Sequence, residues 1–252
     1  MKKLNLITTL LAVFIVLMGC KKETPKETPT CSFVYSAWTS CSNSIQTRTY
    51  TSSPSGCTGT PPADSIQRSC VLNQIWTLTN LDVSKFRNGE AIPQAKTSEV
   101  WESAGENRQP VWCYYENSTN YGSTYGKLYN WYAVNDSRGL APTGYHITSY
   151  DEWTILINYL GGESVAGTKM KSTSGWQNNG NGNNSSGFAG LPGGYRNVYG
   201  TFSRIEFDCY WWSSSETNGA LASCVTLSNS YDEVYGSSFP KTYGFSVRCI
   251  KD

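Results

Sequence analysis

The chain of 252 residues allows one large domain, or one medium-sized domain with small additions. Its 20 Lys and Arg residues balance 19 Asp and Glu residues, so the composition lacks the concentrated basic charge that nucleic-acid binding needs. The aromatic content of 13% and the 23 glycines favour an extracellular, loop-rich β or α+β protein, and the single histidine, His146, argues against Ser-His catalysis and histidine-based metal sites.

The first twenty residues have the pattern of a bacterial lipoprotein signal peptide. A basic start at Lys2 and Lys3 precedes an apolar run, Leu4 to Met18, that is too short to favour a transmembrane span. The run ends in LMGC at residues 17–20, which resembles a lipobox, whose cysteine thiol receives a diacylglycerol. We therefore predict a lipid anchor on Cys20 that holds the chain on a membrane of the cell envelope, the outer membrane in the first instance. An ordinary secretory signal with a chance cysteine is the alternative.

Residues 21–30 (KKETPKETPT) form a charged, proline-containing tether that cannot pack a core. Of the nine cysteines, the eight beyond Cys20 form an even set, which predicts disulfides in an exported protein. No CxxC pair occurs, which argues against zinc and thioredoxin-like chemistry. The eight divide into two groups, and the division marks a boundary between a small module at 31–70 and a large domain at 71–252: Cys31, Cys41, Cys57 and Cys70, then Cys113, Cys209, Cys224 and Cys249.

The small module at 31–70 buries too little apolar surface to fold without disulfides. Its stretch YSAWTSC at 35–41, with the later Arg48 and Arg68, resembles a shortened thrombospondin type 1 repeat. The resemblance implies a layer in which the Arg48 guanidinium stacks on Trp38, with Arg68 as an extension. By position we pair Cys41 with Cys70, which leaves Cys31 for Cys57. A rigid spacer and a binding module both fit this pattern.

The first part of the large domain alternates aromatic strands with polar segments. We predict a first strand at 71–81, a short helix at 98–105, an aromatic strand at 111–115, a polar loop at 117–124 and a second aromatic strand at 128–134. A well-marked helix follows, because Ser149 stands three residues before Glu152 in capping-box spacing. Its apolar face is formed by Trp153, Leu156, Ile157 and Leu160, and Gly161-Gly162 end it.

The second part of the large domain contains a long exposed loop and a hairpin. The loop at 176–187 carries amides and no carboxylate, so it is a poor calcium site. The hairpin turns near 216–219, which places Cys209 roughly opposite Cys224 and predicts a bridge between them. Because side chains alternate along a strand, Trp211 and Trp212 cannot share a face. The closing segment at 244–250 is expected beside the first strand, with Cys113 bridged to Cys249.

Ordered motifs across residues 73–252 identify a family. YNWYAV, APTGYHI and DEWTILINYLGG at 129–162, then LPGGYR at 191–196, WWSSSE at 211–216 and GFSVRC at 244–249, resemble the Fibrobacter succinogenes major paralogous domain. That domain is similar to the C-type lectin-like superfold, which formylglycine-generating enzymes share. The resemblance therefore implies an α+β, C-type lectin-like fold for residues 71–252, with an irregular antiparallel sheet and few helices.

Two classes of function follow from these patterns. The first is a non-enzymatic surface module that binds an extracellular glycan or protein through the 210–219 hairpin and the 176–187 loop. Its candidate ligand-binding residues are Trp211, Trp212, Glu216, Asn218 and Trp176. The second is an oxidase like the formylglycine-generating enzymes, or a degenerate relative of one. That oxidase chemistry needs two closely spaced cysteines holding copper, and only the fold analogy suggests it.

We choose the first class and predict no catalytic residue, no metal site and no cofactor. His146 is interpreted as a satisfied residue at a turn. Cys209 and Cys224 are interpreted as a structural bridge rather than as a reactive pair. The membrane and an extracellular glycan or protein are the predicted partners, and nucleic acid is not.

Overall fold

The computed structural model describes residues 31–36, 45–47, 49–55, 57, 67–69 and 74–252. Its chain divides into two units, Met1–Ser69 and Cys70–Asp252. The predictions made for Cys20, Trp38, Cys41, Arg48 and Cys70 fall outside the described residues, as does the side chain of Arg68.

Four short strands belong to the first unit: β1 (Ser32–Tyr35), β2 (Ile45–Thr47), β3 (Tyr50–Ser53) and β4 (Gln67–Ser69). They pair antiparallel, β1 with β3 and β2 with β4. A disulfide joins Cys31 to Cys57 with their Cα atoms 5.4 Å apart, which is the pairing assigned above by elimination. The bridge therefore holds the start of β1 near the residues that follow β3.

The second unit combines five α-helices and a 3₁₀ helix (Tyr115–Asn117) with nine strands among residues 74–252. The helices are α1 (Ser98–Glu106), α2 (Thr119–Tyr125), α3 (Trp131–Val134), α4 (Tyr150–Tyr159) and α5 (Glu163–Met170). The strands are β5 (Trp112–Cys113), β6 (Leu128–Tyr129), β7 (Tyr145–Ile147), β8 (Gly193–Arg196), β9 (Phe202–Ile205), β10 (Asp208–Glu216), β11 (Leu221–Ser228), β12 (Val234–Pro240) and β13 (Cys249–Lys251). The predicted α+β class is thereby confirmed.

The main sheet has five strands in the order β12-β11-β10-β8-β9. The predicted hairpin is its centre, since β10 pairs antiparallel with β11, and β12 pairs antiparallel with β11 at one edge. Both faces of the hairpin are covered, one by a cluster that includes Trp153 of α4 and the other by a cluster that includes Phe245. Side chains that point to either face of this hairpin are therefore buried.

The α4 helix forms as its sequence predicts. The Ser149 side chain accepts a hydrogen bond from the Glu152 backbone N–H, and the Ser149 backbone N–H donates to the Glu152 carboxylate, which completes the capping box. The predicted apolar face is buried, with Trp153 fully inaccessible to solvent. This helix therefore covers one face of the main sheet.

Four predicted elements differ from the structure. The predicted strand at 111–115 is reduced to β5, because a 3₁₀ helix begins at Tyr115. Residues 74–81 are irregular rather than a strand, although Leu81 N–H donates to the Val247 carbonyl at 2.9 Å and the segment lies beside the closing segment as expected. The predicted polar loop at 117–124 contains helix α2. The predicted strand at 128–134 ends after Tyr129, because the Asn130 side chain accepts from the Ala133 N–H and caps helix α3.

Both disulfides predicted for the large domain are wrong, because Cys113, Cys209, Cys224 and Cys249 are free and buried. Cys209 stands opposite Leu227, whereas Cys224 stands opposite Trp212. The two thiols therefore point to opposite faces of the hairpin and cannot meet. Cys113 and Cys249 belong to different hydrophobic clusters. Burial raises the pKa of all four thiols to about 12, so they are protonated and behave as small apolar side chains.

Candidate functional site

The three indoles predicted to bind ligand are core residues, and this prediction is wrong. Trp211 and Trp212 have no exposed surface, and Trp176 is buried. Trp211 donates from Nε1 to Asn80 Oδ1 at 2.8 Å, and Trp212 donates from Nε1 to the Tyr129 carbonyl at 2.9 Å. The two rings do lie on opposite faces of β10, as side-chain alternation requires, but each face is covered by other aromatic side chains. Neither ring is available to a ligand.

Glu216 and Asn218 are exposed, but both serve the hairpin turn. The Lys241 ammonium lies 2.6 Å from the Glu216 carboxylate, and the Asn218 Oδ1 accepts from the backbone N–H groups of Ala220 and Leu221. Asn218 is therefore a turn-forming residue of the kind that asparagine commonly supplies. Because the indoles are buried, the structure does not assemble the five predicted residues into one site.

His146 lies in β7 rather than in a turn, and both ring nitrogens have partners. Nδ1 is 2.8 Å from the Asp252 carboxylate, and Nε2 is 2.8 Å from Glu152. Burial on its own lowers the pKa of His146, but the hydrogen bonds to Asp252 and Glu152 outweigh it and raise the pKa above its usual value. This contact ties the end of the chain to the first turn of α4.

A polar cleft of about 330 Å³ lies instead between the 176–187 loop and the turn that follows β11. One wall is formed by Asn179, Gly180 and Asn181, which belong to the loop that the sequence had suggested. The other wall is the segment at 229–233, and Lys171 lies at the base. Of the two predicted segments, the 176–187 loop therefore contributes to a concave surface, and it does so through its asparagine amides rather than through the Trp176 indole.

The loop wall is fixed in place by its buried indole and by a close backbone approach. Trp176 donates from Nε1 to Ser172 Oγ and to the Gly190 carbonyl, both at 3.1 Å. A Cβ on Gly180 would lie 2.5 Å from the Asn229 Cα, so only glycine allows the two walls to approach this closely. Asn229 also donates from Nδ2 to the Gln177 carbonyl at 3.2 Å. The cleft is therefore bounded by pinned backbone on this side.

Lys171 supports the opposite wall. Its side chain is 2% exposed, and its ammonium donates to the Tyr231 carbonyl at 2.7 Å and the Ser228 carbonyl at 3.2 Å. The Asp232 carboxylate is 4.0 Å away. Burial lowers the pKa of Lys171, and the charges of Asp232 and Glu233 partly oppose that effect. A buried ammonium bonded to two backbone carbonyls holds the turn in one conformation.

The cleft is lined by one exposed tyrosine, Tyr231, and a fixed carboxylate, and a second exposed tyrosine, Tyr235, lies against Tyr231 just outside the lining. Tyr231 and Tyr235 are 55% and 43% exposed, and their ring centroids are 6.1 Å apart in an edge-to-face arrangement. Thr168 donates from Oγ1 to the Asp232 carboxylate at 2.6 Å, which orients that group at the cleft. Aromatic faces beside amides, carboxylates and hydroxyl groups match a polar ligand that also has apolar faces.

Sequence reasoning missed Lys171, Tyr231, Asp232, Glu233 and Tyr235. The available signal was the run SNSYDEVY at 228–235, where turn-forming Asn and Ser are followed by two tyrosines around two carboxylates. Paired tryptophans such as WW at 211–212 are the more conspicuous pattern. Tyrosine is nevertheless better suited to a solvent-exposed site, because its hydroxyl group can bond to water while its ring contacts a ligand.

The described residues contain neither a metal-binding cluster nor a membrane-spanning helix. Within that part of the chain, no group of three or more His, Cys, Asp or Glu side chains is arranged to hold a metal ion. In the same residues, no helix combines the length and apolar character needed to cross a membrane.

Comparison with known proteins gives one match. The family model described as the Fibrobacter succinogenes major domain matches residues 71–251. No curated protein and no solved structure matches the chain significantly. The match covers almost all of the second unit, including every residue of the cleft.

Proposed function

The chain belongs to the Fibrobacter succinogenes major domain family, and we propose that it is a non-enzymatic, lipid-anchored module of the cell envelope that binds glycans in the cleft at 176–187 and 229–233. The observation that carries this proposal is the pair of exposed tyrosines, Tyr231 and Tyr235, beside a cleft lined with amides and carboxylates. Pyranose rings present hydroxyl groups for such polar side chains and C–H faces for such aromatic rings.

The charge of the cleft supports a neutral or amino sugar over an acidic one. Asp232 is exposed at the rim and Glu233 lines the wall, whereas the ammonium of Lys171 is buried and bonded to backbone carbonyls. An anionic sugar would meet two carboxylates before it met the single cation. Like-charge repulsion of this kind disfavours acidic ligands.

The anchor and the location rest on the sequence of the first twenty residues. We propose that Cys20 carries lipid and that the membrane is the first partner of the protein, because the basic start, the apolar run and LMGC occur in the order of a lipoprotein signal. Replacing Cys20 with Ser should release the protein from the membrane fraction or leave its precursor uncleaved. Unchanged mass and fractionation would contradict the anchor.

The oxidase alternative is not favoured by the geometry of the described cysteines. Copper oxidation of the formylglycine-generating type needs two neighbouring reactive thiols, whereas Cys209 and Cys224 lie on opposite faces of the hairpin. All four free thiols of the described residues are buried and have raised pKa values. We therefore propose binding without catalysis.

Binding to an array of immobilised neutral and amino polysaccharides tests the glycan proposal. Tyr231→Ala and Tyr235→Ala should each weaken binding by roughly fivefold to tenfold, because a lost aromatic contact costs about 1–1.5 kcal/mol. Tyr199→Ala is the matched control, since Tyr199 is 71% exposed but neither lines the cleft nor, unlike Tyr235, lies against the lining residue Tyr231. Binding that falls equally in all three variants, or in none, would contradict the proposed site.

A further inference from the structure

A second cavity, of about 230 Å³, lies beside the irregular segment at 78–80 and has a buried cation at its floor. The floor is formed by Arg248, Asn80 and Ser172, which are all buried. Ala189 and Leu191 form partly buried walls, and the exposed residues Leu78, Thr79 and Thr124 form the rim. The cavity is therefore open to solvent at one end and charged at the other.

Arg248 has no carboxylate partner among the described residues, although only 1% of its surface is exposed. Its guanidinium has five N–H donors, and three of them meet protein acceptors. Nε donates to Asn80 Oδ1 at 2.9 Å, Nη1 donates to the Thr77 carbonyl, and Nη2 lies 3.4 Å from the Ala189 carbonyl. One N–H on each terminal nitrogen thus remains for another acceptor.

Burial lowers the pKa of Arg248 to about 10, so the side chain is still cationic at neutral pH. A buried charge is costly without a counter-charge, and anionic oxygens are the acceptors that match the fork of a guanidinium best. One side of the guanidinium is already occupied, because the Phe188 ring centroid lies 4.6 Å away. The partner that the Arg248 guanidinium lacks is therefore an anionic group rather than another aromatic ring.

Arg196 is a second buried arginine, and it does not line this cavity. It is also 1% exposed, but its guanidinium lies 4.8 Å from the Trp101 ring and 4.7 Å from the Phe202 ring. It donates to the Gly200 carbonyl at 2.9 Å and to the Ala95 carbonyl at 2.7 Å. Two aromatic rings and two short hydrogen bonds thus surround Arg196. Arg248 has one aromatic ring, good hydrogen bonds to Asn80 and Thr77, and a weak one to Ala189, and it differs from Arg196 in that a cavity adjoins it.

We propose that this cavity binds a small organic carboxylate, whose oxygens pair with the Arg248 guanidinium and whose hydrocarbon part packs against Leu78 and Leu191. The volume limits the ligand, because cavities for drug-sized molecules span roughly 300–1,000 Å³ and this one has about 230 Å³. A short aliphatic chain fits the apolar walls, and the hydroxyl groups of Thr79 and Thr124 stand at the exit. The site is separate from the tyrosine-rimmed cleft and does not depend on the glycan proposal.

The experiment uses the full chain in detergent and titrates it with sodium butyrate by calorimetry. Butyramide has the same shape without the charge, so it should bind at least about tenfold more weakly, as expected for loss of a charge-assisted hydrogen bond. Saturable butyrate binding with weak butyramide binding supports the proposal. Equal binding of the two compounds, or no saturable butyrate binding, overturns it.

A rim variant tests the location without touching the buried arginine. Thr124→Trp places an indole at the mouth of the cavity and should weaken butyrate binding by about tenfold or more. Ser123→Trp is the matched control, because Ser123 is the neighbouring exposed residue of α2 and does not line the cavity. Its affinity should stay within about twofold of the unmodified protein. Thermal unfolding of both variants checks that each is folded, and equal butyrate affinity in the two variants places the site elsewhere.

Discussion

Aromatic side chains are buried in one part of the β10–β12 region and exposed in another. Trp211 and Trp212 in β10 have no accessible surface, whereas Tyr231 and Tyr235 are 55% and 43% exposed. Strand β10 is central in the five-stranded sheet and is covered on both faces, whereas β12 is an edge strand. The buried indoles thus belong to the centre of the sheet, whereas Tyr235 lies on the edge strand and Tyr231 in the turn before it.

The largest expected effect comes from the buried side of this comparison. Trp211→Ala removes a ring packed against Trp153 and Phe188 and leaves the Asn80 Oδ1 without its indole donor. We expect the free energy of unfolding to fall by about 3–5 kcal/mol, the usual cost of deleting a buried aromatic ring. Urea denaturation measures this change.

Tyr231→Ala removes an exposed aromatic ring and is compared with Trp211→Ala. It should change the free energy of unfolding by less than about 0.5 kcal/mol. If Trp211→Ala weakened glycan binding without lowering stability, the sheet centre would be the recognition surface and the comparison would be reversed. Glycan binding by each variant is therefore measured only on protein that is shown to be folded.

An effect on stability smaller than that of Trp211→Ala is expected at Gly180, where the 176–187 loop contacts the opposite wall of the cleft. Gly180→Ala places a Cβ 2.5 Å from the Asn229 Cα, so one wall of the cleft must move. Overpacking of this kind costs about 1–3 kcal/mol, and the displaced wall should weaken glycan binding as well. Denaturation and array binding are both measured.

Gly219→Ala is the control for that variant, because a Cβ at Gly219 has no neighbour within 4 Å. It lies in the turn between β10 and β11, at the other end of β11 from the cleft, so it tests an exposed glycine that contacts neither wall. An equal loss of stability in the two variants would mean that the close approach of Gly180 to Asn229 is unimportant.

The sequence predicted elements whose local signals and packing agree. Helix α4 has a capping box and an apolar face that the sheet buries, so its bounds were found within a residue. The hairpin was also found, because its turn residues separate two β-prone runs. The closing segment lies beside residues 75–81 as expected, since Thr77 N–H donates to the Cys249 carbonyl at 2.9 Å.

The failures share a different cause, because they depend on contacts between distant segments. The register of β10 against β11 is shifted by a few residues from the predicted one, and that shift places Cys209 and Cys224 on opposite faces. The burial of Trp211 depends on Asn80, 131 residues earlier in the chain. The cleft likewise depends on Lys171 reaching the carbonyl of Tyr231. No local pattern specifies such pairings.

A further small effect concerns a half-exposed polar contact, His146 between Asp252 and Glu152. Since it is the single histidine, its imidazole gives one NMR titration curve, and we expect a pKa above the usual value of about 6.5. Asp252→Asn and Glu152→Gln should each lower that pKa, because each removes a carboxylate that favours the imidazolium. A pKa that does not respond to either variant would contradict the contact.

The same contact predicts a pH dependence of stability with a defined sign. A histidine whose pKa is raised by folding contributes stability that is complete below its unfolded pKa of about 6.5 and is lost as the pH rises through the folded pKa. Glu152 has a lowered pKa, despite a burial effect that raises it, because Ser149 and His146 donate to its carboxylate. Its contribution is complete above about pH 4.5 and is lost as the pH falls through the folded pKa. The contact therefore stabilises the fold most between about pH 4.5 and 6.5. Because the His146 side chain is 41% exposed, loss of the contact should change the free energy of unfolding by no more than about 1 kcal/mol. An effect of His146→Gln as large as that of Trp211→Ala, measured by denaturation at pH 5.5, would show that exposed contacts contribute as much as the buried aromatic core.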